Sequence, residues 1–206
     1  MKTRHLLITL LAVTLLVFTS GCEQEPARMD DFKVDFATVL RENSQLRFQF
    51  DNGQILTPIN PEIYPSGANG QRVIINYTPL ENNQLRIRAV SNIFTGDIRT
   101  EGFPELLRQD PVRIQSVWVG GEHLNLILEI QYHSIPHSVA LFRDMDSPTI
   151  DLYFSYSRNS DPAGTSRLFH ASFLLSSLRE NGNEPVPFRF FINTHGGLRE
   201  FEMILL

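Results

Sequence analysis

The chain holds a single cysteine, Cys22, in 206 residues, so no internal disulfide can form and stability must come from apolar burial. Its longest apolar run is too short to cross a bilayer as a helix. After that run, no segment keeps an apolar period of 3.6 residues, which argues against a helical or α/β fold. Internal repeats and low-complexity tracts are lacking as well, so no repeat architecture is expected. Chemistry is equally sparse. There is no G-x-S-x-G elbow, no P-loop and no dinucleotide fingerprint. His133 and His137 lie four apart, but Pro136 falls between them and no Glu does, so the H-E-x-x-H zinc form is ruled out. In a strand–turn–strand pattern the two rings need not point together. Asp144, Asp146 and Asp151 suggest a calcium loop until Pro148 falls at the third ligand position and the required Gly is missing. They read as an acidic turn. No catalytic, cofactor or metal residue is assigned. A Ser–His–Asp triad is defined by geometry, which a sequence does not supply.

What is present begins at the N-terminus. Lys2 and Arg4, with His5, precede an apolar run from Leu6 to Phe18 broken only by Thr9 and Thr14. Thr19, Ser20, Gly21 and Cys22 follow. This end resembles a bacterial lipoprotein signal, with Thr19 standing where the lipobox usually has Leu. The resemblance implies cleavage before Cys22, a thioether lipid on its thiol and acylation of its new amine. Several acyl chains exceed the two signals that stable anchoring needs. Residues 1–21 are thus expected to be a signal peptide and residues 22–31 a polar, acidic tether. Acylation would also remove Cys22 as a nucleophile. Cleavage takes away Lys2 and Arg4 and no acid, so Lys+Arg falls from 18 to 16 against 23 Asp+Glu, a net charge of −7. The expected location is the cell envelope, as an outer membrane lipoprotein, with the periplasmic or surface side left open.

The mature chain reads as all-β. Alternation of period 2 recurs throughout, and fifteen Phe suit strands. Five short strands are expected over residues 32–94, carried by Phe32–Leu40, Leu46–Phe50, Ile55–Leu56, Val73–Tyr77 and Leu85–Ala89. Asp51-Asn52-Gly53 makes a tight turn between the second and third. The stretch Pro58–Gly70 reads as a long loop. Five such strands fit a small closed barrel of the OB type. Residues 95–110, with Gly96, Gly102 and Pro104, read as a linker. About seven strands over residues 111–206 suggest a β-sandwich. Its clearest strand sets Leu124, Leu126, Leu128, Ile130 and Tyr132 on one face. Ile127, Tyr153 and Phe191 fall on nominally outer faces. They form a patch if they adjoin, and are chance exposures if they do not.

Three stretches carry a family resemblance. They are Gln71-Arg72-Val73-Ile74-Ile75-Asn76-Tyr77, the run Val117-Trp118-Val119-Gly120-Gly121-Glu122-His123-Leu124-Asn125, and His137-Ser138-Val139-Ala140-Leu141. With them the chain resembles the NigD-like lipoproteins of the Bacteroidetes over nearly its whole mature length. That likeness implies an N-terminal OB-like domain and a C-terminal β-sandwich, and offers no active-site residues to carry over. The function expected is a non-catalytic envelope module that binds or scaffolds a partner, either an envelope protein or a glycan. The alternative is an envelope hydrolase with a site built from strand ends and loops. No cofactor is implied. Nucleic acid is not an expected partner, because the mature chain is acidic and Arg72, Arg86 and Arg88 are the only basic cluster of the barrel.

Overall fold

A computed structural model describes residues 31–179, 182 and 184–206. The expected signal peptide, Cys22 and all of the expected tether but Asp31 lie outside the described residues. The first five strands are β1 (Lys33–Glu42), β2 (Gln45–Phe50), β3 (Ile55–Pro58), β4 (Arg72–Leu80) and β5 (Gln84–Asn92). They close into a barrel in the order β1-β2-β3-β5-β4, with β4 returning to β1. Alternation drives the closure: Ala37, Val39, Phe48, Val73, Ile75 and Leu85 point inward and are almost fully buried. Gly53, at φ +82°, makes the β2–β3 turn, and its N–H donates to the Phe50 carbonyl at 2.9 Å. In the long loop, Arg41 ties the chain down by donating to the carbonyls of Gly67, Tyr64 and Pro65 at 2.5, 3.1 and 2.9 Å.

Eight further strands follow: β6 (Phe94–Arg99), β7 (Arg113–Gly120), β8 (His123–Tyr132), β9 (Ser138–Asp144), β10 (Asp151–Ser157), β11 (Thr165–Leu174), β12 (Val186–Thr194) and β13 (Gly197–Leu205). Their order is β13-β12-β10-β9-β6-β11-β8-β7. The sandwich core is separate from the barrel core and is built on Leu124, Leu126, Leu128, Leu141, Leu152, Phe173, Phe190 and Ile192.

The stretch 95–110 departs from the expected linker. Its first part is β6, which pairs in parallel with β11 through Phe94–Asp97 and with β9 through Ile98–Arg99. This strand passes from one sheet layer to the other and raises the count to eight. Its weak alternation hid it. Gly96 is not a breaker here. A Cβ at that position would lie 3.0–3.1 Å from the rings of Phe94 and Phe173, so any larger residue would make those rings shift by a few tenths of an ångström. The remainder, 100–111, is irregular, and near its end Gln109 bridges Tyr156 of β10 in parallel. Arg108 N–H donates to Ser155 Oγ at 2.8 Å, and Tyr156 N–H donates to the Arg108 carbonyl at 2.9 Å.

Candidate functional site

The barrel meets the sandwich on the outer face of β7, β8 and β11. Side chains alternate along each ladder, so Trp118, Asn125, Ile127, His170 and Ser172 share that face. On the barrel side, Arg72 is the first residue of β4 and points away from the barrel core. It is only 1% exposed. A buried guanidinium needs a counter-charge and acceptors for its N–H groups. Arg72 has both. Its Nη2 lies 2.8 Å from Asp51 Oδ1 and donates to Asn125 Oδ1 at 2.9 Å. Its Nε donates to Ser172 Oγ at 3.3 Å, and its Nη1 to Thr38 Oγ1 at 3.2 Å. Asn125 Nδ2 in turn donates to Asp51 Oδ2 at 3.0 Å, and Ser172 Oγ donates to Asn125 Oδ1. Burial draws the Arg72 pKa down against the opposing pull of Asp51. Nearby, burial and then the Arg72 charge lower the His123 pKa to about 4, so that imidazole is neutral at pH 7.

Glycine closes this joint. A Cβ on Gly120 would sit 2.3 Å from Asp51 Oδ2. Two of the three stretches that carry the family resemblance, 71–77 and 117–125, therefore meet across the joint. Asp51, Thr38, Asn125 and Ser172 were not legible as partners beforehand. Asp51 reads as a turn residue, and Asn125 only as the end of a stretch that carries the family resemblance.

Beside the polar network, Phe36 packs edge-on against Trp118 at 5.0 Å and 84°, and lies 6.0 Å from His170. From this contact a groove of about 590 Å³ opens between barrel and sandwich. Lys33–Phe36 of β1 form one wall, and Asp51, Asn52 and Gln54 of the β2–β3 turn form another. Trp118 and Ile127, both half-buried, contribute the sandwich side. The groove is thus mixed, with aromatic and aliphatic side chains flanked by carboxylates and amides.

The three outer apolar residues do not form one patch. Ile127 belongs to this groove. Tyr153 and Phe191 stack on each other on a different part of the sheet, with centroids 4.6 Å apart, and Phe103 of the 100–111 segment covers Tyr153 at 4.8 Å. The basic cluster of the barrel also divides. Arg72 is buried in the joint, whereas Arg88 is exposed, donating to Thr78 Oγ1 at 3.0 Å and facing the Phe32 ring.

The histidine pair separates likewise. His133 is exposed, with Nδ1 2.8 Å from Ser134 Oγ. His137 is enclosed, with Nε2 3.1 Å from Asp161 Oδ2 and Nδ1 2.6 Å from the Tyr156 hydroxyl. Asp161 also accepts the backbone N–H groups of His133, Ser134 and Ile135 at 2.7–3.0 Å. Burial works to raise its pKa, but these donors outweigh burial and hold the carboxyl well below the usual range. Burial pushes the Tyr156 phenol up to about 12. With both imidazole nitrogens engaged, this cluster clamps the 133–137 turn onto β10. Among the described residues no three His, Cys, Asp or Glu side chains gather as a metal site. Asp151, from the acidic turn, instead receives Arg189 Nε at 2.8 Å, Ser147 Oγ at 2.8 Å and Thr149 Oγ1 at 2.9 Å.

Comparison with known proteins matches residues 36–94 to the NigD-like N-terminal OB domain and residues 97–203 to the NigD-like C-terminal beta sandwich domain. Three crystal structures share the fold. A candidate toxin-related protein of Parabacteroides distasonis is 26% identical, with a TM-score of 0.75 over 85% of this chain and 93% of that one. A NigD-like immunity protein of Bacteroides caccae is 22% identical, with a TM-score of 0.64 over 82% and 90%. A candidate lipoprotein of Bacteroides fragilis is 12% identical, with a TM-score of 0.62 over 84% and 96%. No curated protein sequence matches the chain.

Proposed function

We propose, from the premise that this chain belongs to the NigD-like family, that it is a lipid-anchored, non-catalytic module of the cell envelope that holds a partner in the groove between its barrel and its sandwich. One observation carries the reading. The groove takes walls from both domains, and the Arg72 network beside it fixes those walls relative to each other. A prearranged site of mixed apolar and polar lining suits recognition. The lipoprotein-like signal ending at Cys22 supports an outer membrane anchor, and the Bacteroides fragilis candidate lipoprotein has the same fold. Two further relatives are named as an immunity protein and as toxin-related, which keeps a protein antagonist among the partners to test. The histidine cluster does not favour the hydrolase reading, since the hydroxyl facing His137 Nδ1 belongs to Tyr156, which is only 2% exposed and so closed to a substrate.

The test is capture from the native envelope with the tagged full chain and with Trp118→Ala and Ile127→Glu. A partner retained by the wild-type chain and reduced at least tenfold with either variant is expected. Equal capture by all three would remove the groove as the site.

A further inference from the structure

Lys33, Val34, Asp35 and Phe36 all line the groove. Side chains of a strand alternate between its two faces, so four consecutive residues share a groove only where it runs along the strand's edge. The pairing agrees. β1 pairs with β4 from Lys33 to Thr38, but with β2 only from Ala37 onward, opposite Phe50. At Phe50 the chain turns away, its N–H bonded to the Gln54 carbonyl at 2.9 Å. Among the described residues, Lys33–Phe36 therefore has a strand on one side and the groove on the other.

Strand parity says which peptide groups face the groove. Val39 N–H donates to the Gln71 carbonyl, and the Val39 carbonyl accepts from Gly70, both at 2.9 Å. Odd residues of β1 thus bond toward β4. Even residues bond to the other side. The N–H and C=O of Val34 and the N–H of Phe36 accordingly point to the groove, with no ladder partner there among the described residues. Such an edge is a template for another extended chain. Main-chain hydrogen bonds give affinity in that mode, and alternate side-chain pockets give specificity.

The flanks specify those pockets. Phe36, Trp118 and Ile127 are apolar. On the opposite face of β1, Asp35 Oδ2 accepts the Tyr77 hydroxyl at 2.9 Å, and its other oxygen has no protein donor among the described residues. We infer that the groove takes an extended segment of a partner polypeptide as an added strand on Lys33–Phe36, with apolar side chains against Phe36, Trp118 and Ile127 and a Lys or Arg reaching Asp35. The inference rests on the reading of the groove as the partner site. A glycan would use the aromatic lining and leave the strand edge unused.

A displayed library of random linear heptapeptides, panned against the full chain, tests it. Selected peptides should alternate apolar residues with Lys or Arg. Methylating alternate backbone nitrogens of a selected peptide should weaken binding at least tenfold, and Asp35→Asn should weaken it several-fold. Val34→Pro removes the N–H that faces the groove and leaves the β4 ladder intact, so it too should cost at least tenfold with an unchanged unfolding midpoint. Bound peptide should slow hydrogen exchange at Val34 and Phe36 by at least tenfold. Panning that enriches no such peptide overturns strand addition. Binders lost on Trp118→Ala but indifferent to N-methylation and to Val34→Pro also overturn it, and leave the groove as the partner site. Binders that ignore both Trp118→Ala and Ile127→Glu remove the groove as well.

Discussion

Breaking the Arg72–Asp51 pair from either side should have unequal effects. Arg72 is 1% exposed, whereas the Asp51 side chain keeps 20% of its surface. Asp51→Ala leaves a guanidinium enclosed with only neutral acceptors, Asn125, Ser172 and Thr38. Stranding a buried charge in this way costs about 3–5 kcal/mol. The adjoining 250 Å³ cavity, which Arg72, Asp51 and His123 line, lets water reach the site, so about 3 kcal/mol is expected. Arg72→Met leaves a carboxylate that water can solvate, and Asn125 and Ser172 still satisfy each other. Its loss is that of three hydrogen bonds and the ion pair, partly offset by apolar burial and by water on Asp51, about 1–2 kcal/mol. The double variant removes both charges and should cost less than the sum of the two, with a coupling of about 1–3 kcal/mol. Urea unfolding followed by Trp118, the only tryptophan, reads the joint directly because that ring packs on Phe36. Equal losses for the two single variants, or a strictly additive double, would refute the argument that burial sets the asymmetry.

Four further outcomes follow from the same geometry. Gly120→Ala drives a Cβ into a carboxylate that Arg72 and Asn125 hold in place, and should cost about 1–3 kcal/mol in urea unfolding, while Gly196→Ala, whose nearest atom is 3.7 Å away, should stay within about 0.5. His123 titrates near 4 in the fold against 6.5 when free; the unfolded chain therefore binds more protons between those values, and stability should fall as pH drops from 6.5 toward 4. Urea midpoints across that window should flatten in His123→Gln, and an unchanged slope would count against a neutral buried imidazole. Phe103→Ala uncovers the Tyr153–Phe191 stack and should raise trypsin cleavage after Arg108 several-fold; equal cleavage rates would deny the segment its covering role. Cys22→Ala should abolish labelling by palmitate and shift the protein out of the membrane fraction, and retained label would defeat the lipid-anchor proposal.

The barrel and the sandwich were both readable from pattern. Val73, Ile75 and Tyr77, or Leu124, Leu126 and Leu128, alternate because one face of each strand is buried, and that constraint is local and of period 2. Turn chemistry was readable for the same reason: Gly53 must adopt a positive φ, which few residues tolerate. Strand β6 was not readable. It is short, pairs on both sides in two different layers, and packs Gly96 closely against Phe94 and Phe173, a residue that in isolation signals a break. Tyr153 and Phe191 stand out in the sequence as large apolar residues on an outer face, but the ring that covers Tyr153 comes from 100–111, a stretch with no periodicity to announce it. The site was the least legible part. Nothing in the spelling of Asp51, Arg72, Asn125 and Ser172 links them, because they are brought together only when one closed barrel docks on one sheet face. Local pattern thus dictated which residues turn inward within each domain. Which outward-facing residues would be buried against the other domain was left to tertiary packing, since a buried ion pair is specified by long-range contacts and not by its neighbours in the chain.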